Sequence, residues 1–106
     1  MLKHIVMWKL KDFAEGADRV TNAAKMKALL EGMSGKLPGL LKLEVGLATP
    51  GLEATCDVVL VSEFTDATAL AAYQNHPDHV AMKPFIASIR EARQVVDYLS
   101  ALSATH

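Results

Sequence analysis

Cysteine is almost absent from this sequence: Cys56 is the only one, which excludes an intrachain disulfide, a CxxC redox pair and a cysteine-rich metal site. That usage suits a reducing compartment. No charge of one sign dominates either. Eleven basic residues stand against 12 acidic ones, for a formal charge of −1, and no basic stripe runs along the chain. The footprint that nucleic-acid binding requires is missing, and no nucleic-acid partner is expected. No apolar run approaches the roughly 20 residues of a membrane span, so no membrane partner is expected. The opening Met1-Leu2-Lys3-His4-Ile5-Val6 carries neither an apolar signal core nor a small-residue cleavage site, and a cytoplasmic location is expected. A glycine-rich phosphate loop and a nucleophile elbow are also lacking. Aromatic residues make up only 6%, which makes Trp8, Tyr73 and Tyr98 conspicuous.

What is present is apolar and patterned. With 106 residues and 51% hydrophobic content, the chain suffices for one domain with a real core. Leu2 to Leu10 alternates, with Leu2, His4, Val6, Trp8 and Leu10 on one face and Lys3, Ile5, Met7 and Lys9 on the other, as a strand does. Between Asp18 and Ser34 the period changes: Ala23, Met26, Leu30, Met33 and Leu37 trace one stripe of a helix, and Gly35 suits its C-terminal cap. Leu40 to Leu47 alternates again. Asp57 to Phe64 is a strand that is apolar on both faces. Thr65 or Asp66 caps an alanine-rich helix over Ala67 to Asn75. Pro77 suits the first turn of a further short helix, Pro84 breaks or kinks the chain beyond it, and Phe85 to Ala92 adds a last turn or two. Arg93 to Leu99 is a fourth strand.

The order β-α-β-β-α-β predicts a ferredoxin-like α+β fold, an antiparallel four-stranded sheet with both helices on one face. The domain is expected over residues 1–99, with a short tail over 100–106. Two helices cover only one face of such a sheet, and a wetted second face should alternate to polar residues. Val6 and Trp8 on the first strand, four aliphatic residues on the second and both faces of the third leave polar positions scarce. At about 25 cal/mol per Å² of apolar surface, covering such a face contributes many kcal/mol before association entropy is subtracted. The chain is therefore expected to be a homodimer, its sheets packed by a two-fold operator.

Three stretches carry a family resemblance. They are the opening Leu2-Lys3-His4-Ile5-Val6-Met7-Trp8-Lys9-Leu10-Lys11-Asp12, the strand Asp57-Val58-Val59-Leu60-Val61-Ser62-Glu63-Phe64, and the block Tyr73-Gln74-Asn75-His76-Pro77-Asp78-His79-Val80. Together they resemble the stress-responsive A/B-barrel, or Dabb, family over nearly the whole chain. The His-Pro-x-His block, with a tyrosine three residues before it, is the most specific part. The resemblance implies a dimeric α/β barrel, with His4 and Trp8 on its buried side and the Tyr73–His79 segment near its opening. Most members have no assigned function. One plant branch, olivetolic acid cyclase, closes a linear polyketide by an aldol-type condensation without a cofactor. Its functional positions resemble His4, Tyr73 and His79. A histidine on its third strand has no counterpart around Asp57 and Val58, and its first-helix tyrosine has none between Asp18 and Ser34.

The candidate catalytic residues are thus His79, Tyr73 and His4, with His79 as general base and Tyr73 orienting a substrate oxygen. Val6, Trp8 and His76 are candidate substrate contacts, with capping of the following helix as the alternative for His76. His76 and His79 lack a third ligand at a zinc spacing, so no metal is expected, and no cofactor is implied. The functional expectation is a homodimer that binds a small apolar, aromatic or polyketide-like molecule. The competing readings are a stress-protective structural dimer without chemistry and a cyclase-like or cofactor-free monooxygenase- or isomerase-like enzyme.

Overall fold

The computed structural model describes residues 1–101; of the expected tail, residues 102–106 lie outside the described residues. The elements are β1 (Leu2–Leu10), β2 (Phe13–Ala14), β3 (Ala17–Asp18), α1 (Arg19–Glu31), β4 (Leu40–Leu47), β5 (Val58–Phe64), α2 (Ala67–Asn75), α3 (Pro77–Ile89) and β6 (Arg90–Leu99). The four long strands form one antiparallel sheet in the order β4-β5-β1-β6. This is the expected ferredoxin-like sheet.

The expected barrel is not there. Four strands form an open sheet whose ends, β4 and β6, have no strand beyond them among the described residues. Closing a sheet on itself takes about eight tilted strands with a consistent stagger, and this chain supplies half that number. The position of His4 and Trp8 changes with it. Leu2, His4, Val6, Trp8 and Leu10 are all buried; the four apolar ones pack under the helices in a core with Met26, Leu30, Leu60, Phe64, Tyr73, Met82 and Ile89, and the His4 ring lies edge-on to Phe64 and Tyr73. The outer face carries an apolar band instead: Ile5 lies between Val61 and Val96, and Met7 lies beside Val59. Lys3, Lys9, Lys42 and Glu44 flank that band. Part of the apolar surplus in the sequence is thus core already covered by helices.

Local chemistry accounts for the boundaries. Asp18 caps α1 by accepting from the Thr21 amide at 2.8 Å, and Asp66 caps α2 by accepting from the Ala69 amide at 2.8 Å. The first helix ends at Gly32, not at Gly35, which sits in the following turn at φ 78°. The stretch expected as a plain loop after β1 contains the β2–β3 ribbon, turned by Glu15 and Gly16 at φ 50° and 72°. Positive φ at both positions matches the twist a two-residue hairpin needs. The fully buried Asn22 of α1 ties this ribbon down by donating to the Ala14 carbonyl at 2.9 Å.

Pro84 does not break the last helix, and α3 runs through it to Ile89. Pro84 and Val80, the residue four positions earlier, both lie on the solvent side. The carbonyl deprived of its N–H partner therefore falls on the wet side. Met82, Ile86 and Ile89 pack into the core on the other side and hold both halves in line. Between the helical layer and the sheet, α2 rests on Gly39: a Cβ there would stand 2.3 Å from that of Ala69, too close for any side chain.

Candidate functional site

Three elements bring the candidate residues together. The pleat sends His4, Val6 and Trp8 to the helix side of β1. Across the β1–β6 ladder, His4 faces Asp97, Val6 faces Val95 and Trp8 faces Arg93. Directly opposed residues on an antiparallel pair project to the same face, so Asp97 and Arg93 stand over the same surface. The helices do not extend over β6, where every residue from Glu91 to Leu99 is exposed. A cavity of about 290 Å³ opens beside this uncovered strand.

Its floor is His4, Val6, Trp8, Leu30, Leu60 and Met82, all buried; its mouth is Lys83, Ala87 and Arg93, all exposed. The α3 contribution is a helical stripe, His79, Met82, Lys83, Ile86 and Ala87, continued by Arg90. A wider hollow of about 430 Å³ lies where the β4–β5 loop meets the sheet. Among the described residues, no histidine or tyrosine lines it. Its one carboxylate near the core, Asp57, accepts from the Leu10 amide at 2.7 Å and pairs with Arg19 at 3.9 Å.

His4 is 3% exposed, and its Nδ1 donates to Asp97 Oδ1. A carboxylate only accepts, so the proton on this edge belongs to the imidazole, and in the neutral ring the lone pair is then on Nε2. Asp97 does not stand out in the sequence. Position 97 is separated from position 4 by nearly the whole chain, and only the β1–β6 register joins them.

Tyr73 is fully buried and does not line the cavity. Its ring packs against three others: His79 at 4.7 Å between centroids, Phe64 at 5.3 Å and His4 at 6.4 Å. It links the two cavity histidines from behind. Its hydroxyl has no hydrogen-bond partner among the described residues, and burial pushes its pKa up to about 12. His76 is also outside the cavity. It caps α3, its Nδ1 accepting from the Asp78 amide at 3.1 Å. Val6 and Trp8 do line the cavity, as does Gln74, which nothing in the sequence singles out.

His79 lines the cavity from the first turns of α3. Burial holds its pKa below the ordinary value of 6.5, and the positive charge of Lys83 acts in the same direction. The folded state therefore resists protonating this ring. Stability is fully present above 6.5 and falls as the pH drops below that value towards the lowered pKa of the folded state. His79→Gln should flatten this acid limb. Melting temperatures of both proteins between pH 7 and 5 check it, and parallel curves would contradict it. Among the described residues, no group of three His, Cys, Asp or Glu side chains is arranged to hold a metal. No described helix is long and apolar enough to cross a membrane.

Residues 2–100 match the stress responsive A/B barrel domain, Dabb. The chain belongs to the Dabb family. A solved Bacteroides fragilis protein, described as dimeric, ferredoxin-like and of unknown function, is 35% identical to this Dabb chain. The match covers 92% of this chain and 93% of that one, with a TM-score of 0.77. A dimeric ferredoxin-like protein of unknown function from a Jannaschia species is 28% identical over 93% and 98% of the two chains, with a TM-score of 0.72. A Nitrosomonas europaea protein provisionally described as an antibiotic biosynthesis monooxygenase shares the fold at a TM-score of 0.77, but at 17% identity over 96% and 100% of the chains. No curated protein matches this Dabb chain.

Proposed function

We propose that this Dabb protein is a homodimer that binds a small apolar, aromatic or polyketide-like molecule in the cavity between α3 and the sheet. The observation that carries this reading is the combination of an apolar floor with two imidazoles whose states are set differently. His4 is oriented by Asp97, and His79 is held neutral by burial. Such an enclosure, mostly apolar with a few convergent polar groups, is what small-ligand sites have in common. Cavity size suits a compact ligand, since 290 Å³ is at the small end of the usual range.

The chemistry that fits is proton transfer beside a carbonyl. Nε2 of His4 takes a proton from the carbon next to the carbonyl, leaving an enolate and an imidazolium whose Nδ1–H stays on Asp97. His79 serves as the second proton carrier. Tyr73 positions both rings from behind. Val6 and Trp8 contact the ligand body. The dimer is supported by the two relatives described as dimeric and by the outer band, where Met7, Val96 and Tyr98 are 40%, 53% and 46% exposed. The packing of Tyr73 and the capping role of His76 favour a second reading, a structural dimer without chemistry.

Trp8 is the only tryptophan and forms part of the cavity floor, so its fluorescence reports occupancy directly. Titration with a neutral aromatic ketone should give a saturable change. Ala87→Phe, which adds a ring at the exposed mouth, should weaken binding at least about tenfold, the worth of 1.4 kcal/mol. A flat titration, or unchanged affinity in the variant, would leave the structural reading.

A further inference from the structure

The mouth of the cavity is basic, and nothing in it answers that charge. Lys83, Arg90 and Arg93 line it, while no aspartate or glutamate among the described residues does. Among the described residues, none of the three has an ion-pair partner. The nearest carboxylates on β6 are engaged elsewhere, Glu91 with Lys9 and Asp97 with His4. Arg93 stands directly across from Trp8, and Lys83 is one helical turn beyond His79 on the same stripe. Both side chains line the same cavity as His79.

Like charges crowded around a partly apolar, low-dielectric opening repel one another, and an anion placed between them relieves that repulsion. We infer that the ligand is an amphipathic carboxylic acid, its apolar or aromatic body on the Val6–Trp8–Met82 floor and its carboxylate held by Arg93 and Lys83 at the mouth. The inference rests on the cavity being the binding site, as proposed above, and adds the charge and polarity of the molecule that enters. The planar guanidinium of Arg93 matches a carboxylate with two parallel N–H donors, while Lys83 contributes a mobile point charge. The carboxylate stays at the rim, and the reacting carbon of the ligand lies deeper, beside His4 and His79.

A matched pair of probes tests this: phenylbutanoate and its neutral amide, phenylbutanamide, each titrated against Trp8 fluorescence in the parent and in the double variant Arg93→Gln, Lys83→Gln. Both positions are exposed, so the variant keeps the core intact. The parent should bind the acid at least about tenfold more tightly than the amide, as charge-assisted hydrogen bonds allow. Added salt should erode only the affinity for the acid. The double variant should lose most of that preference, with Arg90 the one cation left at the mouth and affinity for the amide unchanged. Equal affinities in the parent, or a preference for the acid that survives undiminished in the variant, would overturn the head-group assignment while leaving the binding site standing. If neither probe binds, the site itself falls, and the inference with it.

Discussion

Tyr73→Ala should lower the unfolding free energy by roughly 3–5 kcal/mol, whereas Tyr73→Phe should leave it unchanged or raise it by about 1 kcal/mol. The contrast comes from the two ends of one side chain. The ring is completely buried and touches His4, Phe64 and His79, so truncation to a methyl group opens a hole where α2, α3 and β1 meet. The hydroxyl has lost its hydration and has no hydrogen-bond partner among the described residues, so removing it relieves a desolvation cost. Denaturant melts of the three proteins decide the matter. A loss above about 1 kcal/mol in Tyr73→Phe would mean that the hydroxyl makes a net favourable hydrogen bond.

Tyr73 also predicts an alkaline limb. Its phenol stays neutral in the fold up to about 12, against an ordinary value of 10. The folded state thus keeps a proton that the unfolded chain releases, and stability declines as the pH rises from 10 towards 12. Two pH units correspond to about 3 kcal/mol. Tyr73→Phe should remove that component.

The second large effect is expected at Asp97. If His4 is the proton acceptor, Asp97→Asn should reduce exchange of the hydrogen beside the ligand carbonyl by a factor on the order of 10²–10⁴, with binding little changed. The substitution keeps shape and size but offers an amide, which can present either a donor or an acceptor to Nδ1, so the ring loses its enforced tautomer. Nitrogen NMR of the His4 ring reads this independently of turnover: Nδ1 carries the proton in the parent, and a mixture is expected in the variant. Retention of both the tautomer and the exchange rate would remove Asp97 from the site and His4 from its role as base.

Much of the fold is legible along the chain. Alternation at Leu2–Leu10 and Leu40–Leu47, the helical stripe through Met26 and Leu30, and the cap at Asp66 are local signals, and the structure obeys them closely. The site is only half legible. His4, Val6, Trp8 and His79 stand out in the sequence and do line one cavity. Tyr73 and His76 stand out with them, yet one lies behind the wall and the other caps a helix. Ile86, Ala87 and Arg90 are hidden by Pro84. With the helix broken there, the spacing from His79 to Arg90 has no meaning; with the helix continuous, it is a single face.

The sequence alone determined which residues alternate, where helices start, and that a histidine and a tryptophan share one side of the first strand. It could not tell which side of the sheet the helices cover, because β5 is apolar on both faces and a period of two reads the same either way. Only the tertiary structure decided that His4 and Trp8 lie beneath the helices and that the sheet stays open. It also decided that β6 brings Asp97 to His4 and Arg93 to Trp8. Those pairings depend on strand register between the two ends of the chain, and register is set by the packing of the whole sheet and not by any residue's neighbours in sequence.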